Sequence, residues 1–292
     1  VVNIMSLIDS ENFATATTFV SSCTFTCLFN GCTGLTSAEN LILPATTLTE
    51  RCYKSMFSGC TSLTTAPELP ATTLAERCYE FMFDSCTSLT SAPELPATTL
   101  KIYCYHDMLY NCSGLTTAPS TLPATTLANN CYDNMFQGCT SLTSAPELPA
   151  TTLASNCYYK MFQGCTNLTT APAILPATTL ASNCYDSMFY GCTSLTTAPE
   201  LPATTLASSC YYYMFQGCTS LTTAPVLPAT TLANYCYGNM FQGCTSLTTA
   251  PVLPATTLAR SCYWTMFSNC KSLTTAPELP ATTLAERCYE FM

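Results

Sequence analysis

Seven aromatic side chains are the residues best suited to hold a ligand: Phe81, Tyr103, Tyr159, Tyr212, Tyr213, Tyr235 and Trp264. Each stands at a position that changes between copies of a sequence that otherwise barely changes. An exposed tyrosine or tryptophan ring on a rigid support can stack on a sugar or anchor a protein partner. The alternative is drift at unconstrained surface positions. Phe81 and Trp264 fit drift worst, because large solvent-facing apolar groups promote unwanted association. Other chemistry is poorly provided for. His106, the single histidine, directly precedes Asp107, and neighbours on a helix project in different directions and make no catalytic pair. No Ser–His–carboxylate set, phosphate loop or paired-carboxylate cleft can be assembled, so the chain reads as non-enzymatic and without a cofactor. A stripe of Glu68, Glu94, Glu147, Glu200 and Glu278, interrupted by Val226 and Val252, offers too few oxygens for calcium. It reads as a solvated edge that discourages strand-edge association. One histidine and no CxxC pair make a zinc site equally unpromising.

These residues are positioned by a repeat. LPATTLA recurs along the 292 residues, followed by CYxxMFxGC and TSLTTAPELP. The cysteines before tyrosine (Cys52, Cys78, Cys104, Cys131, Cys157, Cys184, Cys210, Cys236, Cys262, Cys288) are spaced by 26 residues, or by 27 where Ser120-Thr121 and Ala173-Ile174 add one. Insertions confined to one site mark a loop or strand edge. Residues 16–23 read as a worn copy of ATTLAxxC, residues 1–15 as an N-terminal cap, and 16–292 as the array. The last copy stops at Met292 inside its helix, which suggests an uncapped, truncated end that continues or docks elsewhere.

Each unit divides in two. Ala75, Cys78, Tyr79, Met82, Phe83 and Cys86 fall on one face of a three-turn α-helix. Thr73 and Glu76 would form its capping box, and glycines such as Gly59, Gly138 and Gly164 would end it. Leu63–Pro70 alternates like a strand cut short by two prolines. Strands about 4.8 Å apart and helices about 9–10 Å apart would bend the stack into an arc. The expected fold is therefore an α/β solenoid of about ten units, with parallel strands on the concave face and helices on the convex face.

The pattern CxxLxxAPxLPxxxLxxxCYxxMFxG resembles the BspA-like, or Treponema pallidum-type, class of bacterial leucine-rich repeats over roughly residues 16–292. Cys60, Leu63, Ala66, Leu69, Pro70, Leu74, Met82 and Phe83 occupy the matching positions in one copy. Ala-Pro replaces the usual strand Ile, and Met replaces the Ala before Phe. The resemblance implies a cell-surface or secreted bacterial protein, often adhesive, with no catalytic residues.

Composition agrees with a packed stack. Charged residues make up only 9 % against 48 % hydrophobic, which excludes a disordered solvating polymer. Net charge −9 with eight Lys and Arg argues against nucleic acid, and no apolar run approaches the ~18 residues of a membrane span. Of 22 cysteines, eleven fall in the CY column counting Cys23, ten in the GC column from Cys32 to Cys270, and Cys27 is left over. A pair within one helix would lie about 12 Å apart, too far for a disulfide. The GC column could come within reach, but gives each thiol two equal neighbours, so a buried ladder of reduced thiols is favoured. The chain thus reads as a recognition or adhesion protein binding a glycan or protein through its variable face. A structural spacer or end-to-end filament is the second reading.

Overall fold

Two β-branched or hydroxylated positions per unit carry the parallel pairing. The computed structural model, which describes residues 2–292, joins Thr47 to Thr73, Thr99 to Thr126 and Thr205 to Thr231 in one column. A second column joins Ser91 to Thr117, Thr197 to Thr223 and Thr223 to Thr249. Threonine suits a pleated edge, and the prolines that follow have no N–H to extend the ladder. Pairing is therefore confined mostly to isolated bridges. Strand β1 (Val2–Asn3) lies parallel to β2 (Leu41–Ile42), with a 3-10 turn over Ile4–Leu7 between them in sequence that places Ile4 and Met5 in the core. Among the described residues, no helix is long and apolar enough to cross a membrane.

The other half of each unit departs from expectation. No α-helix forms among the described residues. Instead the chain runs through successive four-residue turns whose amides alternate in direction. Cys52, Lys54, Met56, Ser58 and Cys60 donate back three residues within their own unit. Arg51, Tyr53, Ser55, Phe57 and Gly59 donate to Glu76, Cys78, Glu80, Met82 and Asp84 of the next unit at 2.7–3.1 Å. Every fourth residue is left-handed: Arg51 at φ 53°, Ser55 at 53° and Gly59 at 73°. A turn with φ > 0 at its third residue belongs to the type II class, which favours Gly or Asn there. The apolar pairs Cys52-Tyr53 and Met56-Phe57 recur every four residues, so a spiral with a four-residue period buries them as well as a helix would. The expected capping box is not built. The glycines are left-handed as expected, but as the third corner of a turn ribbon.

This ribbon also removes the reason for an arc. Backbone hydrogen bonds join adjacent units on both sides, so both sides rise by about one strand spacing, ~4.8 Å, per unit. The wide convex layer of helices is therefore absent, and nothing forces the two sides to differ in length. Inside, each residue stacks on its counterpart. The buried tyrosines from Tyr53 to Tyr263, and half-buried Tyr289 after them, stack with ring centroids 5.5–5.9 Å apart. Leu63, Leu69, Ala71 and Leu74 fill the strand side of the same core.

All 22 cysteines are unpaired, and 19 of them are buried. Thiols of the GC column are placed by a specific contact. Cys86, Cys112, Cys165 and Cys218 each donate from Sγ to the carbonyl of a phenylalanine in the preceding unit (Phe57, Phe83, Phe136, Phe189) at 3.1 Å. Burial pushes the Cys86, Cys165 and Cys218 thiols up to about 12, which keeps them protonated as this contact requires. One register differs from the sequence reading. Cys23 donates its N–H to Glu50 and Cys27 to Lys54, as Arg51 and Ser55 do one unit later. Cys23 thus belongs to the outward left-handed row and not to the buried CY column, because the first unit carries an extra residue near the exposed Val20.

The one-residue insertions have a visible effect. Thr121 pairs with Glu147, and Ile174 with Glu200, closing backbone bonds across the proline segment. Where no insertion precedes, neighbouring segments lie side by side without them. Open clefts of about 370 Å³ result, one between Pro199–Pro202 and Pro225–Pro228, another between Pro67–Pro70 and Pro93–Pro96.

Candidate ligand-binding face

The turn ribbons present three outward rows. The first is the residue before each buried Cys-Tyr pair: Arg51, Arg77, Tyr103, Asn130, Asn156, Asn183, Ser209, Tyr235, Ser261 and Arg287. The second follows that pair, from Lys54 and Glu80 to Tyr212, Gly238 and Trp264; the third comes next and includes Phe81, Asp107 and Tyr213. All seven aromatic candidates therefore share one face, and all are half-buried. First-row and third-row residues are left-handed, including Phe81 (φ 56°), Tyr103 (56°), Tyr213 (55°) and Tyr235 (58°). The structure separates the candidates into two groups.

In the N-terminal half the face closes on its own charges. Arg77 lies 4.3 Å from the Tyr103 ring centroid and binds Glu80 at 2.9 Å; Lys54 reaches Glu80 at 2.7 Å and lies 5.7 Å from the Phe81 centroid. His106 sits edge-on to both rings, 5.4 Å from Phe81 and 5.2 Å from Tyr103. Contrary to the helical expectation, His106 and Asp107 do meet: Nδ1 is 2.8 Å from Oδ2, a close but poorly directed ion pair permitted by left-handed Asp107. Nε2 faces Asp133 at 3.6 Å rather than a nucleophile. Burial lowers the affinity of His106 for its proton, but the Asp107, Asp133 and Glu80 carboxylates outweigh it and raise the imidazole above its ordinary value. Burial lifts Asp133 to about 6 despite Asn130 and His106, and lifts Asp186 to about 6 despite Ser187 and Lys160. Tyr159 is covered by Lys160, 4.9 Å from its ring centroid.

The C-terminal half is open. Tyr212, Tyr235 and Trp264 line a groove of about 420 Å³ with Ser209, Ser261 and Arg287. Tyr213 does not line it but supports it: the two hydroxyls lie 3.1 Å apart and the Tyr212 and Tyr213 centroids 4.0 Å apart. Gly238, the only glycine in the second row, makes the space. A Cβ there would stand 2.8 Å from Tyr212 Cε2. Sequence reading missed Gly238, Ser209, Ser261 and Arg287, although a glycine where every other copy bears a side chain was a visible signal.

The BspA type leucine rich repeat pattern matches residues 15–143 and 159–290 in six copies, most of the chain. The chain belongs to the BspA-type leucine-rich repeat family. Two solved structures resemble this BspA-type array. A leucine rich cell surface protein from Faecalibacterium prausnitzii is 18% identical, with a TM-score of 0.36, over 85% of this chain and 74% of its own. A leucine-rich repeat protein from Bacteroides ovatus is 15% identical, with a TM-score of 0.26, over 85% and 80%. No curated protein matches the chain.

Proposed function

We propose that this chain is a non-enzymatic recognition or adhesion protein, displayed on or secreted from a bacterial cell, that binds a glycan or protein through its outward turn-ribbon face. One observation carries the reading: aromatic residues occupy left-handed positions of this face, where the same rows elsewhere hold cheaper residues. Tyr235 stands where other units place Asn130, Asn156, Ser209 and Ser261, and Tyr213 where others place Ser55, Asn134 and Asn239. A bulky residue in this conformation costs about 1–2 kcal/mol, and such strain clusters at functional sites. Membership in the repeat family and the likeness to a bacterial cell surface protein support the location.

The immobilised chain, screened against a glycan array and matrix proteins, should retain at least one ligand. A Trp264→Ala, Tyr212→Ala, Tyr213→Ala triple variant that melts as a folded array should lose that ligand at least tenfold. Undiminished binding to the triple variant would overturn the proposal.

A further inference from the structure

Building on the recognition reading above, we infer that the groove between Tyr212 and Trp264 is a subsite for a neutral pyranose sugar, with Gly238 setting its shape. The walls decide the chemical class. Every apolar group lining the groove is an aromatic ring; no leucine, isoleucine, valine or methionine lines it. An aliphatic or aromatic peptide anchor gains its energy by entering a deep, fully desolvated apolar hole, and this groove is broad and open. A pyranose instead presents a flat face of C–H groups, which an aromatic ring attracts through its negative face, and a rim of hydroxyls. Half-buried Ser209 supplies a hydroxyl that both donates and accepts, matching that rim, while Ser261 lies buried beneath the groove.

Charge points to a neutral sugar. Arg287 lies 3.4 Å from Glu290 and 3.8 Å from Glu286, and Arg260 lies 3.5 Å from Glu286. The two arginines nearest the groove are thus matched by carboxylates, which disfavours selection of a uronate or sialate. The indole N–H of Trp264, in a residue that lines the groove, has no acceptor within the protein, so hydrogen-bonding capacity is left over there. Tyr212 is held over Gly238 by the Tyr213 hydroxyl and by Tyr235, edge-on at 6.0 Å. Holding the ring before the ligand arrives lowers the cost of ordering it on binding. The volume, about 420 Å³, lies within the range of small-ligand sites.

Trp264 is the only tryptophan, so its fluorescence reports on this groove alone. The test titrates the full chain with maltotriose, cellotriose, mannotriose and galactotriose, with sialyllactose and trigalacturonate as charged comparators. A saturable change in Trp264 fluorescence with at least one neutral trisaccharide, at least tenfold tighter than with either charged sugar, is expected. Gly238→Ala has an ordinary backbone conformation to occupy but displaces the Tyr212 ring, and should weaken binding about tenfold or more. Tyr235→Ala provides the same test at a half-exposed position should Gly238→Ala melt early, and Val252→Ala, at an exposed position on the proline edge outside the groove, should leave binding unchanged. Silence of Trp264 toward all four neutral sugars, preference for a charged one, or full affinity in the folded groove variants would each overturn the inference. A protein ligand lost in the triple variant while no sugar binds would sink this inference and leave the broader reading standing. A ligand retained by the triple variant would sink both.

Discussion

Cysteine shows how far surroundings decide what a side chain does in this molecule. Nineteen thiols lie inside the stack, and the buried ones of the GC column donate to phenylalanine carbonyls, or in Cys139 to that of Leu109, whereas Cys23, Cys27 and Cys32 are exposed. The thiolate is the reactive form, and burial suppresses it. An aromatic disulfide reagent should therefore titrate three thiols per folded chain and all 22 after denaturation; reaction of many more in the folded state would contradict the buried ladder. Asp186 makes a complementary case. Its carboxyl is raised from 3.8 to about 6 by burial, so the folded protein binds a proton more tightly there than the unfolded chain does. The stability this contributes is complete below pH about 4 and is lost as pH rises through about 6. Asp133, also raised to about 6, acts in the same window, and His106, raised above its ordinary 6.5, extends the loss to higher pH. Thermal melts should show a higher midpoint at pH 5 than at pH 8. Asp186→Asn should raise stability at pH 8 by about 1–3 kcal/mol and flatten this dependence, as a shift of about two units implies. An unchanged profile would count against the assigned burial.

The turn ribbon accounts both for what the sequence disclosed and for what it concealed. Stacked apolar columns, the parallel strand positions and the outward location of the seven aromatics were all legible, because they depend only on which residues recur at a 26-residue spacing. The local conformation was not. Cys78-Tyr79, Met82-Phe83 and Cys86 satisfy a helical stripe and a four-residue spiral equally well. The distinguishing signals were Asn, Ser and Gly at every fourth outward position, such as Asn156 and Gly164, and the need for both halves of a unit to rise by the same amount. The open groove depends on side-chain contacts around Gly238 that no spacing encodes. At this scale the left-handed corners are the vulnerable points. Gly164 has φ 73°, and an added Cβ would have ordinary space around it. Gly164→Ala should therefore cost about 1–2 kcal/mol from backbone strain alone, and Gly164→Asn less, as Asn111 and Asn269 at equivalent corners suggest. Equal losses in chemical denaturation would argue that packing, and not conformation, fixes this glycine.

For the whole molecule the unit of change is one coil. Hydrogen bonds and ring stacks join each coil to its immediate neighbours, so stability is close to a sum over coils and their interfaces. Deleting residues 184–209 joins Asn183 to Cys210 and restores every column in register. The shortened chain should keep its circular dichroism spectrum and melt cooperatively. Removing about half as many residues should abolish the fold, because it sets strand positions against ribbon positions. Cooperative melting of both deletions would refute the columnar account.

The alternating amides of the ribbon have an electrical consequence. In every ribbon the inter-coil N–H groups point toward the following coil and the carbonyls toward the preceding one. Aligned peptide dipoles add, as they do in an α-helix, but here the positive pole lies in the C-terminal direction and the sense is reversed. A ribbon followed by a full coil adds five such bonds, as Arg51 to Gly59 illustrate. The solenoid is therefore a polar rod. Two copies placed end to end in the same sense reinforce this field, whereas two lying side by side are favoured when antiparallel.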